Sequence, residues 1–139
     1  MKIYLYFIGK PKDAHANALA ADFIGRASRY ATVEMREIRP ERADLWRKHA
    51  GAFKILLDPA GQRIDSPEFT RLVARGEMEA RDLVFVVGGH AGLPPGWAGR
   101  ADLLLSLSAM TFPHELARAM LAEQIYRAFA CLRGHPYPR

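Results

Sequence analysis

The stretch between Asp82 and Arg133 constrains the fold of this chain more than any other. Leu83 to Val87 is an unbroken apolar run that ends at Gly88-Gly89, and such a run is typical of a strand buried on both faces of a parallel sheet. Because glycine has no Cβ, the backbone at these two residues and at Gly92 can approach a ligand closely. We therefore predict a binding site just beyond the end of this strand.

A second apolar run, Leu103 to Leu107, leads through a polar loop into a long amphipathic helix. Pro113 fits the first turn of this helix, and Gly134 marks its end. At about 21 residues the helix spans roughly 30 Å. Apolar residues recur along it at helical spacing: Leu116, Met120, Leu121, Ile125, Ala128, Phe129 and Leu132.

Strands and helices alternate through the rest of the chain. Strands are predicted at residues 2 to 8, at 33 to 38 (a candidate edge strand) and at 53 to 57, the last ending in a turn at 58 to 61. One helix is predicted to start at Asp13 as its N-cap and to have an inward stripe of apolar residues: Leu19, Phe23, Ile24, Ala27 and Tyr30. Two further helices are predicted over 41 to 49 and from Ser66, as N-cap, to Gly76. This alternation predicts an α/β fold with a mostly parallel sheet. In such sheets ligands bind beyond the carboxyl ends of strands, here after Leu57, Val87 and Leu107.

Composition describes an ordinary globular chain of 139 residues, which is the size of one domain. No apolar run reaches the roughly 18 residues of a membrane span. The single cysteine, Cys131, excludes an internal disulfide and is expected to pack as a small apolar group. The expected compartment is the cytoplasm.

The net charge of +5 permits attraction to a polyanion. Five basic side chains cluster in the sequence: Arg36, Arg39, Arg42, Arg47 and Lys48. A solvated face and a phosphate-contacting surface both explain this cluster.

This chain lacks the sequence motifs of several enzyme classes. The chain has no phosphate-binding G-x-x-x-x-G-K-[ST] loop, no G-x-G-x-x-G in its first strand-helix unit and no G-x-S-x-G elbow. His114-Glu115 begins like a zinc-protease helix, but Arg118 stands where the second histidine is required. We expect no metal. What remains, a glycine turn, a loop rich in backbone groups and a polar tail, suits a cofactor that brings its own reactive group.

Four blocks together closely resemble the RlmH family of SPOUT-class methyltransferases, which modify a pseudouridine at N3 in 23S ribosomal RNA. They occur in the family's order and spacing over most of residues 53 to 139, and the N-terminal half fits more loosely. The blocks are Phe85-Val86-Val87-Gly88-Gly89-x-x-Gly92-Leu93, Leu105 to His114, Leu121 to Ala128, and Gly134-His135-Pro136-Tyr137.

The resemblance implies a SPOUT fold over residues 1 to 139: an α/β sheet flanked by helices, with a C-terminal trefoil knot and the cofactor site within about 53 to 139. It also implies a homodimer that binds S-adenosylmethionine and acts on 23S rRNA in the large subunit or the assembled ribosome, with no membrane partner. The implied cofactor-binding residues are Leu57, Gly88, Leu107, Ser108, Ala109, Met110, Thr111 and Phe112. The implied catalytic residues belong to the tail of the partner subunit: His135, Tyr137 and Arg139.

Helix composition also favours a dimer, because Leu116, Met120 and Phe129 alternate with residues small enough for close helix contact: Ala117, Ala119, Ala122 and Ala128. A helix in the core of a monomer explains the same pattern.

The chain departs from the family pattern in two places. Pro138 stands where the family has a histidine, and His90-Ala91 replaces a proline and a glutamate. His90 is a candidate to replace the missing tail histidine, although a solvated loop histidine is the favoured interpretation. An rRNA methyltransferase is the primary hypothesis. The alternatives are a ribosome-binding or assembly module with a retained cofactor pocket, and a SPOUT methyltransferase that acts on another RNA or on protein.

Overall fold

The computed structural model describes residues 1–138. Its strands are β1 (Lys2–Ile8), β2 (Thr32–Ile38), β3 (Phe53–Arg63), β4 (Leu83–Val87) and β5 (Leu103–Ser106). Its helices are α1 (Ala14–Ala27), α2 (Leu45–Lys48), α3 (Ser66–Met78) and α4 (His114–Leu132), with a short 3₁₀ turn at Ala98–Arg100.

The five strands form one sheet in the order β2-β1-β4-β3-β5, and all four neighbouring pairs are parallel. The predicted α/β class with a mostly parallel sheet is confirmed, and so is the edge position of β2. Since all strands run the same way, their carboxyl ends share one edge of the sheet. The loops that follow β3, β4 and β5 therefore meet there.

Helices α1, α3 and α4 cover one face of the sheet, while α2 and the segment 93–101 cover the other. Alternate residues of β1 and β4 face the two layers, so Phe85 packs beneath the helices and Val86 packs on the opposite side. β4 lies between β1 and β3, and all its residues are buried. This explains why it has no polar position.

The inward stripe predicted for α1 is partly wrong. Leu19 is 46% exposed, and Tyr30 lies beyond the end of the helix. The buried residues of α1 are Ala16, Ala20, Ile24 and Ala27. Ala16 and Ala20 were not part of the predicted stripe, because the hydrophobic pattern did not weight them.

The turn predicted at 58 to 61 is wrong, because these residues lie within β3. Leu57 and Gln62 both pair with Leu105 of β5, so the four residues between them form an irregularity in the strand. The backbone amide of Ala60 donates to Asp58 Oδ1 at 2.8 Å. The local sequence indicated a turn-like conformation here, but not the strand pairing that resumes after it.

Helix ends follow local capping chemistry. Asp13 caps α1 as predicted, accepting from the Ala16 amide at 3.0 Å. The cap of α3 is Asp65 rather than Ser66, because Asp65 and Glu68 form a capping box. The helix also continues to Met78, beyond the predicted end at Gly76, and α2 is four residues long, shorter than predicted.

The long helix α4 starts at His114, with Pro113 at its N-cap, and has 19 residues. Three of its alanines pack inside this chain's own core and so do not provide the dimer contact predicted for them: Ala119, Ala122 and Ala128. Cys131 is exposed, contrary to the expectation that it packs. No helix within residues 1–138 is long and apolar enough to span a membrane.

Candidate functional site

A cavity of about 370 Å³ opens at the carboxyl ends of β4 and β5, beside the irregularity of β3 at 58–61. Leu57, Val87 and Leu107, the three strand ends chosen from sequence, all line it. Its remaining walls come from the irregular part of β3, the end of β5, the segments that follow β4 and β5, and the first turn of α4: Asp58, Pro59, Gly88 to His90, Gly92, Leu93, Leu105, Ser106, Ser108, Met110 to His114 and Ala117.

One wall of the cavity consists of closely packed glycine backbone. A Cβ placed on Gly88 would lie 2.5 Å from the carbonyl carbon of Gly92 and 2.7 Å from its oxygen. Gly92 has φ +81°, which strains any residue with a side chain, and its amide donates to the Gly89 oxygen at 2.9 Å. The glycines thus bring main chain to the cavity surface and leave room there.

The loop 107–113 forms a second wall. Ser106 Oγ donates to the Ser108 carbonyl at 2.8 Å, and the Met110 amide donates to Ser108 Oγ at 3.0 Å. These bonds hold the loop's backbone in a defined shape. Met110 is 73% exposed, so its flexible side chain can pack on an incoming ligand.

Of the eight residues predicted to bind a cofactor, the structure places all but Ala109 on the cavity wall. Ala109 is exposed within the same loop. His90 also lines the cavity. Sequence reasoning missed Asp58 and Pro59, because it treated them as a turn outside the sheet, and His114 and Ala117, because it did not consider the first turn of α4. The signal that could have identified His114 and Ala117 was the position of α4 immediately after the loop 107–113.

Glu115, in the first turn of α4, anchors this helix to the segment after β1. Its carboxylate accepts from the backbone amides of Lys12 at 2.7 Å and Asp13 at 3.1 Å, and from Asn17 Nδ2 at 2.8 Å. These hydrogen bonds lower the pKa of the Glu115 carboxyl to about 2. The contacts connect the cavity's helical wall to α1.

Arg118 lies one turn further along α4 and is fully buried. Its guanidinium carbon lies 3.6 Å from the centroid of the Phe7 ring, and Nη1 donates to Asn17 Oδ1. Burial lowers the pKa of this guanidinium, against the opposing effect of the Glu115 and Glu37 carboxylates. Arg118 thus packs α4 against β1 and α1. The sequence comparison with zinc proteases had used this residue only to exclude a metal motif.

The stability that Glu115 contributes is expected to depend on pH. Since its folded pKa is about 2 and the ordinary value is 4.5, the contribution is complete above about pH 4.5 and is lost as pH falls towards 2. Glu115→Gln should therefore lower the free energy of unfolding at pH 7, and the difference from wild type should shrink below pH 4.5. Urea denaturation at several pH values measures this. Glu41→Gln, at an exposed carboxylate, is the control, and a difference that is constant with pH would contradict the prediction.

The C-terminal tail, residues 134–138, lies away from the cavity of its own chain. Tyr137 packs edge-on against Tyr126 of α4, with ring centroids 4.7 Å apart, and Tyr137 Oη donates to Glu123 Oε2 at 2.5 Å. Glu123 is nine residues along α4 from His114, or roughly 14 Å at 1.5 Å per residue. The structure thus does not bring His135 and Tyr137 to the cavity within one chain. Arg139 lies outside the described residues.

No group of three or more histidine, cysteine, aspartate or glutamate side chains in the part of the chain that the structure describes is arranged to hold a metal ion.

A family model described as predicted SPOUT methyltransferase matches residues 1–138. The chain belongs to the SPOUT methyltransferase family. Within this family it is 72% identical, over the full length of both chains, to ribosomal RNA large subunit methyltransferase H from Solibacter usitatus. The RlmH resemblance drawn from the four sequence blocks is thereby confirmed.

Solved structures agree on the SPOUT fold. The chain is similar to a probable methylase family protein from Haemophilus influenzae, with a TM-score of 0.63, 11% identity, and coverage of 99% of this chain and 70% of that one. It is also similar to an AdoMet-bound rRNA methyltransferase from Sinorhizobium meliloti, with a TM-score of 0.51, 13% identity, and coverage of 91% and 55%.

Proposed function

We propose that this SPOUT methyltransferase transfers a methyl group from S-adenosylmethionine to N3 of a pseudouridine in the 23S rRNA of the large ribosomal subunit. The observation that carries the proposal is the 72% identity, over both whole chains, to a protein named ribosomal RNA large subunit methyltransferase H. The net charge of +5 suits an RNA substrate. Such a substrate locates the protein in the cytoplasm.

The cavity fits the proposed cofactor in size and chemistry. Its volume of about 370 Å³ falls in the usual range for ligand pockets, and apolar side chains surround backbone polar groups. In the proposed complex, Leu57, Leu107 and Met110 pack on the adenine, and backbone groups of the loop 107–112 hydrogen-bond its edge. The glycine wall at Gly88 leaves room for the ribose or methionine part. When bound, S-adenosylmethionine supplies an electrophilic methyl group on its sulfonium.

The tail is proposed to act on the substrate bound at the partner subunit's cavity. Burial and the hydrogen bond to Glu123 raise the pKa of Tyr137 to about 12, so its phenol stays protonated at neutral pH and is not a base. His135 Nδ1 accepts from the Tyr137 amide at 3.1 Å, so the neutral ring carries its proton on Nε2. The Tyr137 hydroxyl gives its one proton to Glu123, which leaves the Nε2–H of His135 as the donor towards the substrate. This donor suits stabilisation of an N3 anion better than removal of its proton, and Arg139 is the proposed cation beside it.

A homodimer is the proposed working form, because tail and cavity are separated within one chain. Two large apolar side chains are exposed on the packed pair α1 and α4: Leu19 is 46% and Leu116 39% exposed. Burying them against a second copy would remove apolar surface from water. We further propose that the segments around the cavity form the trefoil knot implied by the RlmH resemblance.

The decisive experiment is methylation of ribosomes from a strain that lacks this modification. Purified protein and labelled S-adenosylmethionine are incubated with these ribosomes, and the rRNA nucleosides are identified by mass spectrometry. We expect label in 3-methylpseudouridine. Ribosomes that already carry the modification are the control and should take up no label.

Label in a different nucleoside would mean that the enzyme methylates another RNA site. Absence of label, with cofactor binding still seen by calorimetry, would favour a ribosome-binding module in which Pro138 has ended turnover. Either result would overturn the proposal.

A further inference from the structure

The C-terminal tail is attached to its own α4 by a specific set of contacts. Gly134, with φ +70°, ends the helix, and the His135 amide donates to the Ala130 carbonyl at 2.8 Å. The chain then turns back, so that the Tyr137 ring lies against Tyr126 and near Phe23 of α1, 6.3 Å between centroids. The last described residues thus have a fixed position.

Glu123 is the polar centre of this attachment. Besides the Tyr137 hydroxyl at 2.5 Å, its carboxylate accepts from Arg127 Nη2 at 2.7 Å, Arg127 Nε at 3.1 Å and Gln124 Nε2 at 3.0 Å. The Arg127 guanidinium also lies 5.5 Å from the centroid of the Tyr137 ring. Arg127 therefore balances the carboxylate charge and contacts the tyrosine that this carboxylate binds.

These polar contacts are not what holds α4 in the fold. The helix is fixed by fully buried apolar side chains: Leu121, Ile125 and Phe129. The side chains of Glu123 and Arg127, by contrast, are 17% and 33% exposed. Since they lie at the edge of the core and contact the tail, their loss should release the tail while the core stays packed.

We propose that Glu123 and Arg127 are positioning residues that hold Tyr137, and with it the end of the tail, in the orientation needed for methyl transfer. The inference rests on the proposed function, because it assumes that the tail acts on the substrate. Neither residue touches the cavity of its own chain. They act through the tail, and a tail displaced by 1 Å is enough to slow a reaction by about 100-fold.

The high pKa of Tyr137 supports this arrangement. At about 12, it keeps the phenol a hydrogen-bond donor to Glu123 over the working pH range. A phenylalanine at this position could pack against Tyr126 but could not bind the carboxylate.

The test compares Glu123→Ala, Tyr137→Phe and the double variant with wild type. We expect each single variant to lower kcat by about 10- to 100-fold while the KM for S-adenosylmethionine, the melting temperature and the dimer content stay close to wild type. Because both changes remove the same contact, the double variant should be no slower than the slower single variant.

Glu77→Ala is the matched control. Glu77 of α3 pairs with Arg133, the residue that follows α4, at 2.5 Å, so this variant also removes a carboxylate–arginine pair near the tail but leaves the Glu123 contacts in place. Its kcat should stay within about twofold of wild type. Wild-type kcat in Glu123→Ala, or effects of Glu123→Ala and Tyr137→Phe that multiply in the double variant, would overturn the inference.

Hydrogen exchange separates failure of this inference from failure of the proposed function. The amides of His135 and Tyr137 are both hydrogen-bonded, so they report on tail order without any methyl transfer. They should exchange at least about tenfold faster in Glu123→Ala than in Glu77→Ala. If wild type methylates no ribosomal RNA, the proposed function fails. Unchanged exchange in Glu123→Ala overturns the inference whatever the activity.

Discussion

Replacing Gly88 by alanine is expected to weaken S-adenosylmethionine binding on the order of 100-fold. The new Cβ would lie 2.5 Å from the Gly92 carbonyl carbon, whereas unstrained carbon contacts are about 3.5 to 4.0 Å. The nearest atoms are all backbone, so the wall of the cavity must shift by roughly 1 Å, which is enough to disrupt precise positioning. Isothermal titration calorimetry with S-adenosylmethionine measures the effect.

Gly99→Ala is the control for this change. Gly99 is exposed, and a Cβ there meets no atom of the described residues within 4 Å. It should bind the cofactor as wild type does. Circular dichroism of Gly88→Ala should show an intact fold, since the steric conflict is confined to the segment 88–93 after β4. Wild-type affinity in Gly88→Ala would exclude the glycine wall as part of the cofactor site.

Replacing Phe85 by alanine is expected to lower the free energy of unfolding by about 3–5 kcal/mol. Phe85 is fully buried in β4, between Leu5 of β1 and Ile55 of β3, and its ring stacks on Phe69 of α3 at 5.7 Å. The strands on both sides limit collapse into the cavity that the substitution leaves. The loss is a large fraction of the roughly 5–15 kcal/mol that stabilises a typical domain.

Urea denaturation measures this loss. All variants are compared at one protein concentration, because the apparent stability of a dimer depends on concentration. Met78→Ala is the control, because Met78 is 86% exposed at the end of α3, and it should change stability by less than about 0.5 kcal/mol. A Phe85→Ala variant as stable as this control would mean that β4 is not the centre of the core.

Local chemistry accounts for the features that were predicted correctly. β1 and β4 have the predicted bounds because their hydrophobic patterns are uninterrupted, and α1 begins after Asp13 because an aspartate there can bind the first free amides. The incorrect predictions involve competition between neighbours or distant partners. Asp65 replaces Ser66 as cap because Glu68 completes a capping box with it, and residues 58 to 61 stay in β3 because β5 pairs on both sides of them.

Burial along α4 is a similar case. Helical spacing identified an apolar face, but it did not indicate that Arg118 is fully buried against Phe7 or that Cys131 is exposed. Periodicity shows which residues share a face, whereas the depth of each depends on the helices packed around it. Here α1 packs against α4 and places Asn17 at Arg118.

The candidate site divides in the same way. By itself, the sequence determined that β4 ends at Val87, that β5 ends near Leu107, and that glycines follow β4, because these signals need only neighbouring residues. Only the tertiary structure decided the strand order β2-β1-β4-β3-β5, the pairing of β3 with β5, and the attachment of Tyr137 to Glu123, fourteen residues earlier in the chain. Such contacts depend on how elements pack at long range, and no local pattern of residues encodes that choice.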